Sequence, residues 1–544
     1  MRPISRVLAV VPFVLIAGVM APALARAATP VSTPVSMIAA SSCGTGSGFC
    51  FSPASATITV GAPVTWTNTA GVVHTATADG GAFDTGIVNP GQTATNTFST
   101  PGTYPYHCSI HPDMLGTIVV KSVYTAASSQ QYSLLNSDGT TWRDLDTINL
   151  ALNVSPGADA TALISGNADL FTANAGFNQD LGIDVNGAIA AWKESGGFAG
   201  TFSPNAAFVQ TLLPMSAGSN YTVKLKWKTN KPAAGATIYA GAGPIGTAYS
   251  PTRLTVQLFP PGSSIASVVS TQQYALANSN GSTWTDVDST NLSQSFTPSV
   301  SGTALLGGNA DLWTETAGFN QDLAITVNGT VVAWKESGGF AGTFSPNAAF
   351  VQAAFPMNGG TTYTAKLQWK TNKASGATIH AGAGPIGGQF SPTRMTLQFI
   401  PAGSGVTDRV STQQYTLMNS NGAAWTDIDA TNLSFTFTPA ANAVAIVSGN
   451  ADLFTANAHF NQDLAIDVNG AVAAWKESGG FAGTFSPNAA EVQTVFPVTA
   501  STSYTVKLRW KTNVPASGAT IYAGAGPIGA QFSPTRLSIE LVGA

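Results

Sequence analysis

Apolar and polar residues alternate along this chain with a period of two. Tyr221-Thr222-Val223-Lys224-Leu225-Lys226-Trp227 sets aromatic and aliphatic side chains against Thr and Lys, and Leu254-Thr255-Val256-Gln257-Leu258 repeats the pattern. Near the N-terminus, Thr57-Ile58-Thr59-Val60, Val64-Thr65-Trp66-Thr67 and Gly116-Thr117-Ile118-Val119-Val120 are rich in β-branched residues. Successive side chains of a strand point to opposite faces, so alternation predicts strands with one buried face. Gly61, Pro90-Gly91 and Pro101-Gly102 punctuate these runs, and Val185-Asn186-Gly187 reads as a hairpin turn. No long stretch keeps a helical period. The expectation is an all-β protein built of sandwiches.

The pattern recurs on a larger scale. Tyr132, Tyr274 and Tyr415 each follow a Gln-Gln pair, at steps of 142 and 141 residues. Trp192, Trp334 and Trp475 keep that register, each followed by Lys-Glu-Ser-Gly-Gly-Phe-Ala-Gly-Thr-Phe-Ser-Pro-Asn, and so do the Pro-Thr-Arg triplets ending at Arg253, Arg394 and Arg536. A repeat of this length is a whole domain. Breaks fall at Phe259-Pro260-Pro261-Gly262-Ser263-Ser264 and at Pro401-Ala402-Gly403-Ser404-Gly405. The expected division is a leader at 1–27, a head domain at 28–121, and β-sandwich repeats at 122–262, 263–403 and 404–544. The Tyr-Thr-x-Lys-Leu-x-Trp strand and closing strand of each copy resemble jelly-roll domains of the tumour-necrosis-factor/complement type.

Composition narrows the setting. Charged residues make up 9% of the 544, against about a quarter in ordinary soluble domains, and the net charge is −4. No basic run points to nucleic acid or to an anionic membrane surface. Arg2 and Arg6, the apolar run Val7 to Ala21, and the small-residue sites Ala23-Leu24-Ala25 and Ala25-Arg26-Ala27 read as a cleaved secretory signal. The mature chain is expected to lack a membrane span and to be periplasmic, extracellular or on the cell surface. Of three cysteines, Cys43 and Cys50 flank a Gly-rich loop and are the natural disulfide pair in an oxidising compartment. That leaves Cys108 odd, and an unpaired cysteine in an exported chain needs a reason.

The reason lies in Tyr104-Pro105-Tyr106-His107-Cys108-Ser109-Ile110-His111-Pro112-Asp113-Met114. Cys108, His111 and Met114 share one short loop, and His74 stands upstream at the end of another strand. Two imidazoles, a thiolate and a thioether are the donor set of a trigonal His₂Cys copper site with a weak axial Met. Thiolate and thioether favour Cu(I) and imidazole serves Cu(II), so a rigid cage of all four changes little when an electron moves. Pro112 stiffens the loop by fixing its own φ and restricting His111.

The head resembles the cupredoxins, and its loop is similar to those of amicyanin, plastocyanin and pseudoazurin. The resemblance runs from Thr57–Trp66 through His74, Phe83-Asp84-Thr85-Gly86, Pro90-Gly91, Phe98 and Pro101-Gly102-Thr103-Tyr104 to the ligand loop. It implies an eight-stranded Greek-key sandwich with one mononuclear copper near one end. His74, Cys108 and His111 would be the strong ligands and Met114 the axial one. Many members carry Asn after the first histidine. Here Thr75 stands there, and its hydroxyl would have to make the bond that ties down the cysteine loop.

Other polar residues carry weaker expectations. Strand alternation turns His107 away from Cys108, toward a structural or surface role. His380 and His459 replace Tyr or Gly of the other copies and read as surface residues. Asp144/Asp146, Asp286/Asp288 and Asp427/Asp429 read as solvated turn carboxylates, calcium being the alternative. Asn178-Gln179-Asp180 and its copies are candidates for sugar contact. Multicopper oxidases and copper nitrite reductases need more histidines than the five here, which form no His-x-His pair. Two functions follow. One is an electron carrier serving a redox partner protein, with the repeats as spacers or docking modules. The other is an adhesive protein whose exposed-looking Trp and Tyr bind glycan or a surface.

Overall fold

The computed structural model describes residues 28–197, 204–338, 347–480 and 487–543. The expected export signal, 1–27, lies outside them. No helix among the described residues is long and apolar enough to cross a membrane.

The head is an eight-stranded sandwich. β1 (Thr33–Ala39), β2 (Phe49–Ser52), β3 (Ser55–Thr59), β4 (Pro63–Asn68), β5 (Thr77–Ala78), β6 (Thr93–Thr97), β7 (Gly102–His107) and β8 (Leu115–Lys121) form two sheets. Their orders are β2-β1-β4-β6 and β3-β8-β7-β5. Alternation does the expected work. Val64 and Trp66 of β4, and Ile118 and Val120 of β8, turn into a core shared with Phe51, Phe83, Phe98 and Tyr106.

In the first repeat, β9 (Val123–Ser128), β10 (Tyr132–Leu135), β11 (Arg143–Asp144), β12 (Ala151–Val154) and β13 (Ala160–Thr172) come first. β14 (Gln179–Val185), β15 (Ala188–Ser195), β16 (Asn205–Met215), β17 (Tyr221–Thr229), β18 (Thr237–Ala240) and β19 (Thr252–Phe259) follow. One sheet runs β10-β18-β13-β19-β9, with β16 also on β13. The other runs β11-β17-β14-β15, with β12 on β17. The β14–β15 turn is the expected hairpin, with Asn186 and Gly187 at φ 53° and 89°. The second and third repeats have the same two sheets.

The three repeats close into a ring. Lys193 Nζ of the first donates to the carbonyls of Asn309 and Pro392 in the second. Lys335 donates to Asn450 and Pro534 in the third. Lys476 of the third returns to Asn167 and Pro251 of the first. Beside each lysine a backbone N–H meets a buried carboxylate of the next repeat: Glu194 to Asp311, Glu336 to Asp452 and Glu477 to Asp169, each at 2.9 Å. Burial pushes the three lysines down to about 8, against the pull of those aspartates. Trp192, Trp334 and Trp475, three of the tryptophans of the repeats, are buried at the seams. The ring of each packs on a glycine of another repeat, Gly384, Gly526 and Gly243 respectively, where a Cβ would stand 2.9 Å from it.

The head stands on this ring by one end. Val31 N donates to the Gly157 carbonyl at 2.8 Å, and Gly157 N donates to Thr59 Oγ1 at 2.7 Å. A side chain at Gly61 would meet Ala158 and Pro260, and its φ of 85° also favours glycine. These contacts lie at the start of β4. The donor residues follow the far ends of β4 and β7, about 20 Å away for a six-residue strand.

Candidate metal centre

The backbone builds the cage before any side chain enters it. The loop after β7 bonds to itself: Cys108 N to Met114 O at 3.0 Å, His111 N to Cys108 O at 3.1 Å and Met114 N to His111 O at 2.9 Å. His74 is held by a bridge to Val88, with N···O distances of 3.2 and 2.8 Å. Asn68 at the end of β4 is fully buried, and its Nδ2 donates to the carbonyls of Val72 and Val88, 2.8 Å each.

Those constraints bring the sequence-predicted donors together. Cys108 Sγ lies 3.6 Å from His74 Nδ1 and 3.7 Å from His111 Nδ1. The three donor atoms all lie within 4.8 Å of one another, the one such group of potential metal ligands found among the described residues. First-row ions bind imidazole and thiolate at about 2.0–2.3 Å, so two such donors spread 120° apart sit about 3.7 Å from each other. The spacing fits an ion at the centre. His74, Cys108 and Met114 are buried and His111 is half-exposed. Burial lowers the pKa of His74, and the His111 charge adds to that, which favours the neutral imidazole a metal needs.

Thr75 supplies the tie that Asn would have made. Its hydroxyl accepts from Ser109 N at 2.8 Å, and its own N–H points at Cys108 Sγ at 3.3 Å. An N–H aimed at the sulfur stabilises thiolate charge. Three further supports are not marked by residue type or spacing. Phe49 packs against both imidazoles, with ring centroids 4.8 Å from His74 and 4.6 Å from His111. Asp113, beside Met114, accepts from Ser47 N at 2.7 Å, the bond that does most to lower its pKa. Ser47 lies in the loop closed by the Cys43–Cys50 disulfide, so that loop braces the donor loop.

The other candidates fall outside the site. His107 points away from it and pairs with Asp79 at 2.6 Å. His459 is exposed at φ 80°, where the other copies carry Gly176 and Gly318. His380 is half-buried rather than on the surface, because it stacks on Trp313 with centroids 4.2 Å apart. The aspartate pairs are tied down rather than solvated. Asp144 pairs with Lys224 at 3.0 Å, as Asp286 does with Lys366 and Asp427 with Lys507 at 2.7 Å. Tyr132, Tyr274 and Tyr415 each donate to the second aspartate of a pair at 2.6 Å. Asn178, Gln179 and Asp180 are buried, Asp180 against Lys228 at 2.5 Å, so no sugar can reach them.

A family-model match agrees with this geometry. Residues 39–121 match the model of the copper binding proteins of the plastocyanin/azurin family. Over 84 residues the chain is 37% identical to chloroplastic plastocyanin of Tetradesmus obliquus, covering 13% of this chain and 58% of that protein. Among solved structures, a purple cupredoxin from Nitrosopumilus maritimus is 30% identical, covering 16% of this chain and 99% of that one, with a TM-score of 0.15. A copper-containing nitrite reductase from Thermus scotoductus is also 30% identical, covering 17% and 22%, with a TM-score of 0.14. The donor group and the family match together give the head one copper site.

Proposed function

Starting from a head that is a copper-binding domain of the plastocyanin/azurin family, we propose that this protein is an exported one-electron carrier. In this reading His74, Cys108 and His111 are the strong ligands and Met114 the axial one. Copper bound there supplies the Cu(II)/Cu(I) couple. The chain does the rest. Self-bonded backbone fixes the donors, Thr75 N steadies the sulfur, and Phe49 and Met114 keep water out. The observation that carries the proposal is the combination of donor spacing and access. The donors already stand where an ion needs them, and among them only His111 reaches the surface.

The exposed edge of His111 is then the route for the electron. The segments carrying the donors leave Val72, Ile87, Ile110 and Leu115 exposed, at 41, 65, 43 and 61%. Such an apolar rim suits brief docking of a redox partner protein. We divide the chain into a head at 28–121 and three modules beginning at 122, 263 and 404. The modules would act as a rigid base that turns the copper end outward. The Cys43–Cys50 disulfide suits an oxidising compartment. The adhesive reading loses the Asn-Gln-Asp triplets and the seam tryptophans Trp192, Trp334 and Trp475, which are buried, and keeps the half-buried Trp142, Trp284, Trp313 and Trp425.

Voltammetry of the full-length, copper-loaded protein tests the proposal. It should give one reversible one-electron wave. Met114→Leu should keep copper and shift the potential, and His74→Ala should remove the wave. A wave unmoved by either substitution would refute the assignment.

A further inference from the structure

In each module a buried lysine, aspartate and glutamate stand side by side on one sheet. In the first, Asp180 on β14 lies opposite both Glu194 on β15 and Lys228 on β17. Residues directly opposite on neighbouring strands turn their side chains to the same face. All three are buried. Lys228 Nζ meets Asp180 Oδ2 at 2.5 Å and lies over the Trp142 ring, 5.1 Å from its centroid. Asp180 Oδ1 has no hydrogen-bond partner among the described residues. Glu194 Oε1 is held by the amides of Asn178 and Asn230, at 2.7 and 3.2 Å. Asp322, Glu336 and Lys370 repeat the arrangement beside Trp284. Asp463, Glu477 and Lys511 repeat it beside Trp425.

We propose that each of these sites joins its lysine to its aspartate through an amide bond, so that every module carries its own covalent cross-link. An amine and a carboxyl held in contact react as parts of one molecule, and burial keeps out the water that would reverse the step. Two charges are costly in such a place. Moving one proton from Lys228 to Asp180 leaves both groups neutral, which is the pair that condenses. Burial raises the pKa of Asp180 against the pull of Lys228. Burial also raises that of Glu194, and the Asp180 charge adds to it, so Glu194 holds a proton. Lys228 Nζ then attacks Asp180 Cγ. Glu194 gives its proton to the departing hydroxyl oxygen and takes one from the nitrogen. The Nζ–Cγ bond forms, a Cγ–Oδ bond breaks, one water leaves, and Glu194 ends protonated as it began. The step balances without an oxidant or a co-reactant. The repeats hold no cysteine, so these links tie β14 to β17 where no disulfide can.

Mass spectrometry of the full-length, folded protein, afterwards denatured, reduced and digested with a protease, tests this. The peptide that holds Asp180 should stay joined to the one that holds Lys228, lighter than their sum by one water. The same should hold for Asp322 with Lys370 and for Asp463 with Lys511. Glu194→Gln should leave the first pair unjoined while the other two links form, and those two report that the variant has folded. Separate, unmodified peptides from the wild type would show that the three pairs are ion pairs only. That result, or a first link that forms in full in Glu194→Gln, would overturn the proposal.

Discussion

Replacing Trp475 with alanine is expected to destabilise the protein by about 3–5 kcal/mol, the usual cost of truncating a buried tryptophan. Trp475 is 5% exposed, and its indole packs on Gly243, more than 200 residues away. The void would open beside the bonds that close the ring: Lys476 to Pro251, Glu477 N to Asp169, and Gly479 N to the Pro204 carbonyl at 2.8 Å. Chemical denaturation of the full chain measures the effect. Modules strung in a line would leave Trp475 without a partner in the first module, and the change would cost less than about 0.5 kcal/mol. Trp192→Ala and Trp334→Ala should behave alike, because the three seams repeat.

The second large effect concerns Glu491. It occupies the position of Phe208 and Phe350, whose rings pack 4.4 Å apart across a seam. It is 1% exposed and neither carboxylate oxygen has a hydrogen-bond partner. Burial raises its pKa to about 8, with Ser448, Lys335 and Asn450 opposing. The folded state therefore holds this proton more tightly than the unfolded chain does. Below about pH 4.5 both states are protonated and the group costs nothing. As pH rises toward 8 the unfolded chain releases its proton first, and stability falls by about 1.4 kcal/mol per unit. Glu491→Gln removes that dependence. The variant should match the wild type near pH 4 and exceed it on the order of 4 kcal/mol near pH 8. Melting curves across that range provide the check, and a gap that does not change with pH would contradict it.

The copper cage was legible because its chemistry is compact in sequence. Three donors stand within seven residues, and strand alternation could turn His107 outward and Cys108 inward. The strands were legible for the same reason, since each apolar face met a core of its own. The ring was not. Lys193 carries no mark of a seam in the sequence, yet it donates to the carbonyls of Asn309 and Pro392 of the next module. Asp180, by contrast, is covered within its own module by Lys228, which lies over Trp142. Polar residues buried by a neighbouring module look like surface residues until the neighbour is placed. The braces of the cage were hidden in another way. Asn68, Phe49 and Asp113 act through contacts between distant segments, and none belongs to a residue type that marks a metal site.

The most direct measurement is the visible absorption spectrum of the full-length protein titrated with Cu(II), with Cys108→Ser as control. An intense blue thiolate-to-copper band should grow to saturation at one copper per chain and be missing from the folded variant. A folded wild type without that band, or a band that survives in Cys108→Ser, would contradict the copper centre described here.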